Sequence, residues 1–139
     1  KTSNKIDAVL AANAGLGNAA ISALKARKLK QIPVTGQDAT AQGIQNILAG
    51  DQCMTVYKAV KAEAEAASEL AIALAKGETP TTATGSTENE GTQTPSVLLK
   101  PVTVTKENIQ DTVIKDGFLT TDEICTGKYA KLCTDAGIS

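Results

Sequence analysis

Three short apolar runs, each followed by a segment with helical periodicity, most constrain how this chain can fold. The runs span residues 6–12, 32–35 and 53–57, and each has the length and composition of a strand. Strand–helix order repeated three times is typical of a parallel sheet with covering helices and right-handed crossovers. The sequence therefore predicts an α/β fold with a Rossmann-like parallel sheet flanked by helices.

The segments between and after these runs have apolar residues at helical spacing over residues 16–29, 40–50 and 59–76. Thr40 is a residue type that caps a helix N-terminus, and Gly50 is a natural C-terminal stop. The third helix has lysines and glutamates on one side and a stripe of apolar side chains on the other: Val60, Ala64, Ala67, Ala71 and Leu74. Such a stripe predicts a face that packs against another part of the protein.

The chain changes character after the third helix. Residues 78–95 are almost entirely small, polar or acidic, so they predict an exposed loop, with a hairpin extension as the less favoured alternative. Residues 97–105 return to strand character, and Pro101 inside this run indicates an edge strand or a crossing segment. The tail from Lys106 predicts short helical turns.

The charged and titratable residues exclude several classes of function. The 14 Lys and Arg and 15 Asp and Glu leave a net charge of −1 without a basic stripe, so nucleic acid is not an expected partner. Histidine is absent, which rules out histidine triads and histidine metal ligands within this chain, and no cofactor is expected. No signal peptide is visible, and the chain begins as though cut from a longer one.

Three cysteines remain, and they call for two different interpretations. Cys53 lies inside an apolar strand pattern, where it is expected to be a small buried hydrophobe. Cys125 and Cys133 lie close together near the C-terminus and can form a local disulfide if the protein is exported. Two reduced thiols on a short helical segment are the alternative, and a zinc site is disfavoured without histidine or a fourth cysteine.

Polar side chains follow all three predicted strands. Asn13 follows the first, Asp38 the second and Lys58 the third, at the carboxyl ends where open α/β sheets bind ligands. An amide donates and accepts, a carboxylate accepts from two hydroxyls and an ammonium group donates, which together suit a polyhydroxylated ligand. The alternative is that Asn13 and Asp38 simply cap helices.

A second motif overlaps this place. Residues 15–20 match G-x-G-x-x-A, and Asp38 sits about where a ribose-binding acid would be, so a dinucleotide-binding enzyme domain is an alternative function. In that fingerprint, however, the first glycine makes the tight turn at the strand end, whereas Asn13 and Ala14 intervene here. The dinucleotide interpretation is therefore the less favoured one.

Four consecutive blocks resemble one known family, in the right order and with similar spacing: IDAVLAAN, PVTGQDA, IQNILAGDQCMTVYK and NIQDTVIKDGF. They cover most of residues 6–118 and are similar to the C-terminal portion of periplasmic D-xylose-binding proteins. The resemblance also implies that Asn13, Asp38 and Lys58 occupy sugar-contacting positions. Ala14 stands where the family usually carries Asp, which removes one polar group from the rim of that site.

The resemblance implies part of a two-lobe type I periplasmic-binding protein that closes over a sugar. Residues 1–57 then belong to the C-terminal sugar-binding lobe, and residues 58–77 form a helix that packs on a missing N-terminal lobe. Residues 78–95 are the Thr-rich exposed loop, and residues 96–139 are a returning hinge strand and C-terminal tail. The missing lobe, in a separate chain or a missing segment, would supply most of the rings that stack on a sugar, because this chain has three aromatic residues.

The implied function is that of a solute-binding component of a bacterial sugar ABC importer, without enzymatic activity. Its expected partners are a monosaccharide, either a pentose such as D-xylose or a hexose, and the membrane subunits of the importer. The implied location is periplasmic or extracellular, with a lipid anchor to the cell surface as a variant. A sugar receptor that serves a signalling system is an alternative with the same binding site.

Overall fold

The computed structural model describes residues 5–138; residues 1–4 and 139, at the outer ends of the predicted segments 1–57 and 96–139, lie outside the described part. The described residues form two compact units, one containing residues 5–58 and 102–138, the other Ala59–Pro101. The first unit contains helices α1 (Ala14–Ala26) and α2 (Ala41–Leu48), strands β1 (Thr55–Tyr57) and β4 (Val102–Val104), a π-helical turn (Gln110–Ile114), and helices α4 (Thr121–Ile124) and α5 (Tyr129–Asp135). The second contains helix α3 (Val60–Ala75) and strands β2 (Gly85–Asn89) and β3 (Thr92–Ser96).

The first three strand-like segments run parallel, as predicted. Val9 bridges Val34, and Gln37 bridges Val56, both in parallel register. Only the third segment contains a regular strand, β1, whereas the predicted strands 6–12 and 32–35 pair through these isolated bridges. Pro33 is one physical reason, because it has no N–H to donate; its carbonyl instead accepts from the Val9 N–H at 2.9 Å.

Strand β4 pairs with β1 in antiparallel register, with Thr55 opposite Val104 and Tyr57 opposite Val102. The returning strand is shorter than the predicted 97–105, since it begins immediately after Pro101, which cannot donate to a ladder. The chain thus leaves the first unit after β1 and returns to it through β4.

Helices α1 and α2 pack against each other within the first unit. Thr40 caps α2 as predicted, because its hydroxyl accepts a hydrogen bond from the Gly43 N–H at 3.2 Å. The largest fully buried side chains of the unit come from the sheet, α2 and the C-terminal tail: Val34, Ile44, Thr55, Val104, Ile109, Val113 and Ile124. The tail therefore belongs to the same core as the sheet.

Cys53 is exposed, so the expectation that it is a small buried hydrophobe is wrong. Its neighbour Gln52 is buried instead and donates from its side-chain amide to the Met54 carbonyl at 2.9 Å. That amide fills the space beside Gly36, where a Cβ would collide with it. The polar residue therefore takes the inward position, and the thiol is left at the surface.

Gly17 lies where α1 packs closely against the second strand-like segment. A Cβ at Gly17 would lie 3.0 Å from the Thr35 carbonyl oxygen, which belongs to the backbone and cannot swing away. We expect Gly17→Ala to lower the free energy of unfolding by about 1–3 kcal/mol. Gly15→Ala is the matched control, because its Cβ would lie 3.4 Å from the Asn13 Oδ1 and alanine favours a helix over glycine. Equal urea midpoints for the two variants would contradict this close packing.

The C-terminal tail is held by a disulfide and by α2. Cys125 and Cys133 are disulfide-bonded with their Cα atoms 5.8 Å apart. Gln45 of α2 donates from its side-chain amide to the Ile124 carbonyl at 2.9 Å. The tail consists of short helical turns, as predicted, and α4 begins with a capping box in which Thr120 and Glu123 bond reciprocally.

Helix α3 has no buried residue, although it spans nearly the predicted 59–76. Its half-buried side is formed by Ala62, Ala66, Leu70 and Ala73. The apolar stripe predicted from the sequence lies elsewhere on the helix, and all five of its members are exposed: Val60, Ala64, Ala67, Ala71 and Leu74. Within the described residues, this stripe is an uncovered apolar face.

The segment 78–95 contains the antiparallel hairpin β2–β3 rather than a loop, so the less favoured alternative is the one observed. The physical reason is a two-residue turn at Glu90 and Gly91, both with positive φ (47° and 79°), which matches the twist of a hairpin. Threonines at strand positions add to its β-propensity. The segment is exposed almost throughout, as predicted.

Candidate functional site

Asn13 is the N-cap of α1. Its side-chain oxygen accepts a hydrogen bond from the Leu16 N–H at 2.9 Å, so the helix-cap interpretation holds for this residue. Capping engages the oxygen and fixes the side chain at the end of the first strand-like segment. The amide NH₂ of the same side chain carries two further donors, so capping does not exhaust its hydrogen-bonding capacity.

Asp38 does not cap a helix, because Thr40 is the N-cap of α2. The Asp38 carboxylate instead pairs with the Lys58 ammonium group, with 3.0 Å between oxygen and nitrogen. The two side chains are 45% and 38% exposed, respectively. The structure thus brings two of the three predicted site residues into direct contact on an open edge.

Asp38 and Ala39 both have left-handed backbone conformations, with φ of 86° and 47°. Residues other than glycine rarely adopt positive φ, and the conformation persists only where surrounding contacts hold it. The Asp38 N–H donates to the Val56 carbonyl at 2.8 Å, and the Ala39 N–H donates to the Thr55 hydroxyl at 3.2 Å. Strand β1 therefore holds the turn that presents the Asp38 carboxylate.

Gln37 connects the other predicted residue, Asn13, to this turn. Its carbonyl accepts from the Ala14 N–H at 2.8 Å, and its side-chain amide donates to the Ala12 carbonyl at 3.1 Å. Hydrogen bonds from one residue therefore hold the peptides on both sides of Asn13. The Asn13 side chain itself contacts Leu16 and, among the described residues, makes no hydrogen bond to Asp38 or Lys58.

Lys58 follows Tyr57, whose ring is buried at the end of β1. The Tyr57 ring packs on Phe118 with centroids 5.0 Å apart and planes tilted by 46°. Burial raises the pKa of Tyr57 above its ordinary value of 10.0, and the Asp116 carboxylate raises this pKa further by its charge and by accepting a hydrogen bond. The aromatic pair thus anchors the backbone from which Lys58 projects.

Gln37 and Thr55 also contribute to this edge, and the sequence does not predict that they do. Gln37 follows the run 32–35, and Thr55 lies inside the apolar run 53–57. A polar residue at a strand end and a hydroxyl inside an apolar run are the only signals that the sequence carries for them. Their partners lie 25 and 16 residues away along the chain, so the contacts become visible only in the fold.

The glycine motif of residues 15–20 does not form a phosphate-binding loop. Gly15 and Gly17 lie inside α1, which begins at Ala14, and the Gly17 N–H is already bonded to the Asn13 carbonyl at 3.1 Å. Gly17 is required by close packing against Thr35 instead. The geometry therefore does not support the dinucleotide interpretation.

Residues 5–138 contain neither a candidate metal site nor a helix that could span a membrane. No group of three or more acidic, cysteine or histidine side chains in this part could hold a metal ion. No helix in it is long and apolar enough to cross a bilayer. The name polar edge is used below for the surface formed by Asn13, Asp38 and Lys58, with Gln37 and Thr55 behind it.

The chain belongs to the periplasmic binding protein family, because the family model described as periplasmic binding protein domain matches residues 1–79. It is 49% identical over 117 residues to the D-xylose-binding periplasmic protein of Escherichia coli (strain K12), which covers 83% of this chain and 35% of that protein. The chain spans about a third of the length of the curated relatives it matches. The resemblance inferred from the four sequence blocks is thereby confirmed.

Solved structures confirm the fold class. The chain matches a carbohydrate transporter solute binding protein from Chloroflexus aurantiacus in complex with D-glucose, with a TM-score of 0.76 and 32% identity, over 84% of this chain and 34% of that one. It also matches an ABC transporter solute binding protein from Clostridium phytofermentans with bound β-D-glucose, with a TM-score of 0.77 and 30% identity, over 86% and 38%. The chain therefore shares its fold with part of these solute-binding proteins.

Proposed function

We propose that this chain is part of the solute-binding component of a bacterial sugar ABC importer, and that it holds a monosaccharide without changing it chemically. The observation that carries the proposal is the Asp38–Lys58 pair, 3.0 Å apart and partly exposed at the carboxyl ends of parallel strand-like segments. The similarity to a D-xylose-binding periplasmic protein and to a solute binding protein in complex with D-glucose supports the same function. D-xylose is the first candidate ligand, with a hexose such as D-glucose as the second.

The polar edge suits the hydroxyls of a sugar. The Asp38 carboxylate accepts hydrogen bonds from one or two adjacent hydroxyls, and the Lys58 ammonium group donates to another oxygen. The Asn13 amide donates from the rim, since its oxygen already caps α1. A site that binds a sugar without changing it needs neither a nucleophile nor a general base. These three residues therefore suit a receptor that catalyses no reaction.

A second lobe, carried outside these 139 residues, completes the proposed site. The half-exposed Asp38–Lys58 pair leaves one side of the ligand uncovered, and the exposed α3 stripe offers an apolar face for that lobe. Sugar then binds the open edge first, and contacts made only on closure shift the population toward the closed form. The importer's membrane subunits recognise that closed form.

The proposed location is periplasmic or extracellular. Disulfides persist in oxidising compartments, and Cys125 and Cys133 form one in the structure. The periplasmic relatives support the same location. We also propose a lipid anchor to the cell surface as a variant of this location.

Native mass spectrometry tests the proposed function directly. The chain is measured alone and together with the lobe that completes the cleft, each with D-xylose, with D-glucose and without sugar. We expect the two-lobe complex to gain the mass of one monosaccharide, and the chain alone to gain little or none. A two-lobe complex that binds neither sugar at millimolar concentration would refute the function.

The α3 stripe gives a separate prediction about the completing lobe. Ala67→Glu puts a charge into the stripe, and burying an unpaired charge is unfavourable, so we expect the lobe to associate about tenfold more weakly. Lys61→Gln on another side of α3 changes the net charge by the same amount and is expected to have little effect. Association is measured by analytical ultracentrifugation, and equal affinities for the two variants would remove the stripe from the interface.

A further inference from the structure

We propose that Gln37 and Thr55 are positioning residues that set the spacing and orientation of Asn13, Asp38 and Lys58. The inference rests on the proposed function, because it concerns the same polar edge. Neither residue is assigned to sugar contact: each acts through the backbone of the residues that make the contact. Their removal is therefore expected to change affinity without removing any group that touches the ligand.

Thr55 is the first of the two supports. Its side chain is fully buried, and Ala39 is buried as well. The Thr55 hydroxyl accepts a hydrogen bond from the Ala39 N–H at 3.2 Å. Replacing the hydroxyl by a methyl group of similar volume leaves no room for a water, so without the Thr55 oxygen the buried Ala39 N–H loses its partner. The left-handed turn at Asp38 and Ala39 then loses one of the two bonds that hold it.

The direction of the Asp38 side chain depends on that turn. If residues 38 and 39 relax toward negative φ, the Asp38 Cβ rotates about the backbone and its carboxylate moves relative to Lys58. Lys58 itself follows β1 directly and is fixed by the packing of Tyr57 on Phe118. Thr55 therefore links the two members of the ion pair, since it lies in β1 and bonds to the turn.

Gln37 is the second support, and it acts on Asn13. The bonds at 2.8 Å to the Ala14 N–H and at 3.1 Å to the Ala12 carbonyl restrain the backbone on either side of Asn13. The same residue immediately precedes Asp38 and bridges β1 through Val56. One residue thus sets the distance between the amide and the carboxylate of the polar edge.

Paired substitutions at Thr55 separate positioning from plain stability. Thr55→Val keeps the volume and removes the oxygen, whereas Thr55→Ser keeps the oxygen and removes a buried methyl group. We expect Thr55→Val to weaken monosaccharide binding about tenfold, and Thr55→Ser to keep near-wild-type affinity even if its thermal midpoint falls. Affinity is measured by calorimetry on the two-lobe protein, well below the midpoint of every variant. A Thr55→Ser affinity as weak as that of Thr55→Val would overturn the assignment.

A second pair tests Gln37. Gln37→Met has a similar length without the amide donor, and we expect it to weaken binding several-fold. Gln31→Met is the matched control, because the Gln31 amide also donates to a backbone carbonyl, that of Gly50, in the same unit. If both variants bind sugar like the wild type, the Gln37 side chain has no positioning role, because its backbone bond to the Ala14 N–H is present in Gln37→Met as well.

Amide hydrogen exchange tests whether Thr55 holds the turn, and it does so whether or not the protein binds sugar. The Ala39 amide is expected to exchange faster in Thr55→Val and to stay protected in Thr55→Ser, with or without sugar. If the wild type binds no sugar, the proposed function fails, while the exchange data still decide whether Thr55 holds the turn. If the wild type binds sugar and Ala39 exchange is unchanged in Thr55→Val, the positioning inference fails alone.

Discussion

Asp38→Ala is expected to weaken monosaccharide binding by about 1–3 kcal/mol, or roughly 5- to 150-fold. The carboxylate is the strongest acceptor of the polar edge, and closure of a second lobe would bury it together with the sugar hydroxyls that it accepts from. Its loss leaves those hydroxyls without a partner in a closed cleft. It also leaves Lys58 without the carboxylate that lies 3.0 Å away.

The matched control is Asp51→Ala in the same unit. Asp51 also forms an ion pair with a lysine, Lys25, but it lies after α2, away from the polar edge. We expect this variant to retain sugar affinity, because Asp51 lies outside the polar edge and its partner Lys25 is not part of the proposed site. Calorimetric titration with D-xylose and D-glucose measures both variants, and unchanged affinity in Asp38→Ala would remove Asp38 from the site.

A double-mutant cycle sharpens the same test. If Asp38 and Lys58 hold the same sugar, Lys58→Ala should cost less affinity in the Asp38→Ala background than in the wild type. Additive losses would mean that the two groups act on the ligand independently. The cycle therefore distinguishes a cooperating pair from two separate contacts.

Local sequence signals were sufficient for the elements that depend on neighbours along the chain. The Thr40 cap, the helical spacing of α3 and the three parallel segments all follow from residue type and periodicity. The order of strand and helix also placed Asn13, Asp38 and Lys58 at the same edge. The ion pair between Asp38 and Lys58 is consistent with that placement.

The features that could not be predicted from the sequence depend on contacts between distant residues or on uncommon turns. The β2–β3 hairpin turns at Glu90 and Gly91, a pair that lacks the usual Asn-Gly signal. Cys53 is exposed because Gln52 occupies the buried place beside Gly36. Thr55 supports Ala39 across 16 residues, and no local pattern encodes such a bond.

Removal of the disulfide is expected to have the largest effect on stability. Replacing Cys125 and Cys133 with serine opens a short closed loop, and the chain-entropy model gives a loss of about 2–3 kcal/mol for a loop of that size. The loss should appear first in the tail, whose contacts with α2 include the Gln45 bond to the Ile124 carbonyl. Urea unfolding measures the total, and amide exchange across residues 121–138 locates it.

Cys53→Ser is the control for this experiment, because Cys53 is exposed and free of any disulfide. A reductant should lower the wild-type urea midpoint toward that of the double-serine variant, and it should leave the variant itself unchanged. Sugar affinity should survive in both, since Asn13, Asp38 and Lys58 are held by Gln37, Thr55, β1 and the packing of Tyr57 on Phe118, all of which lie outside the disulfide-closed residues 125–133. A wild-type midpoint that is insensitive to reductant would show that the disulfide does not stabilise the fold. A loss of sugar affinity on removal of the disulfide would show that the disulfide-closed residues also support the polar edge.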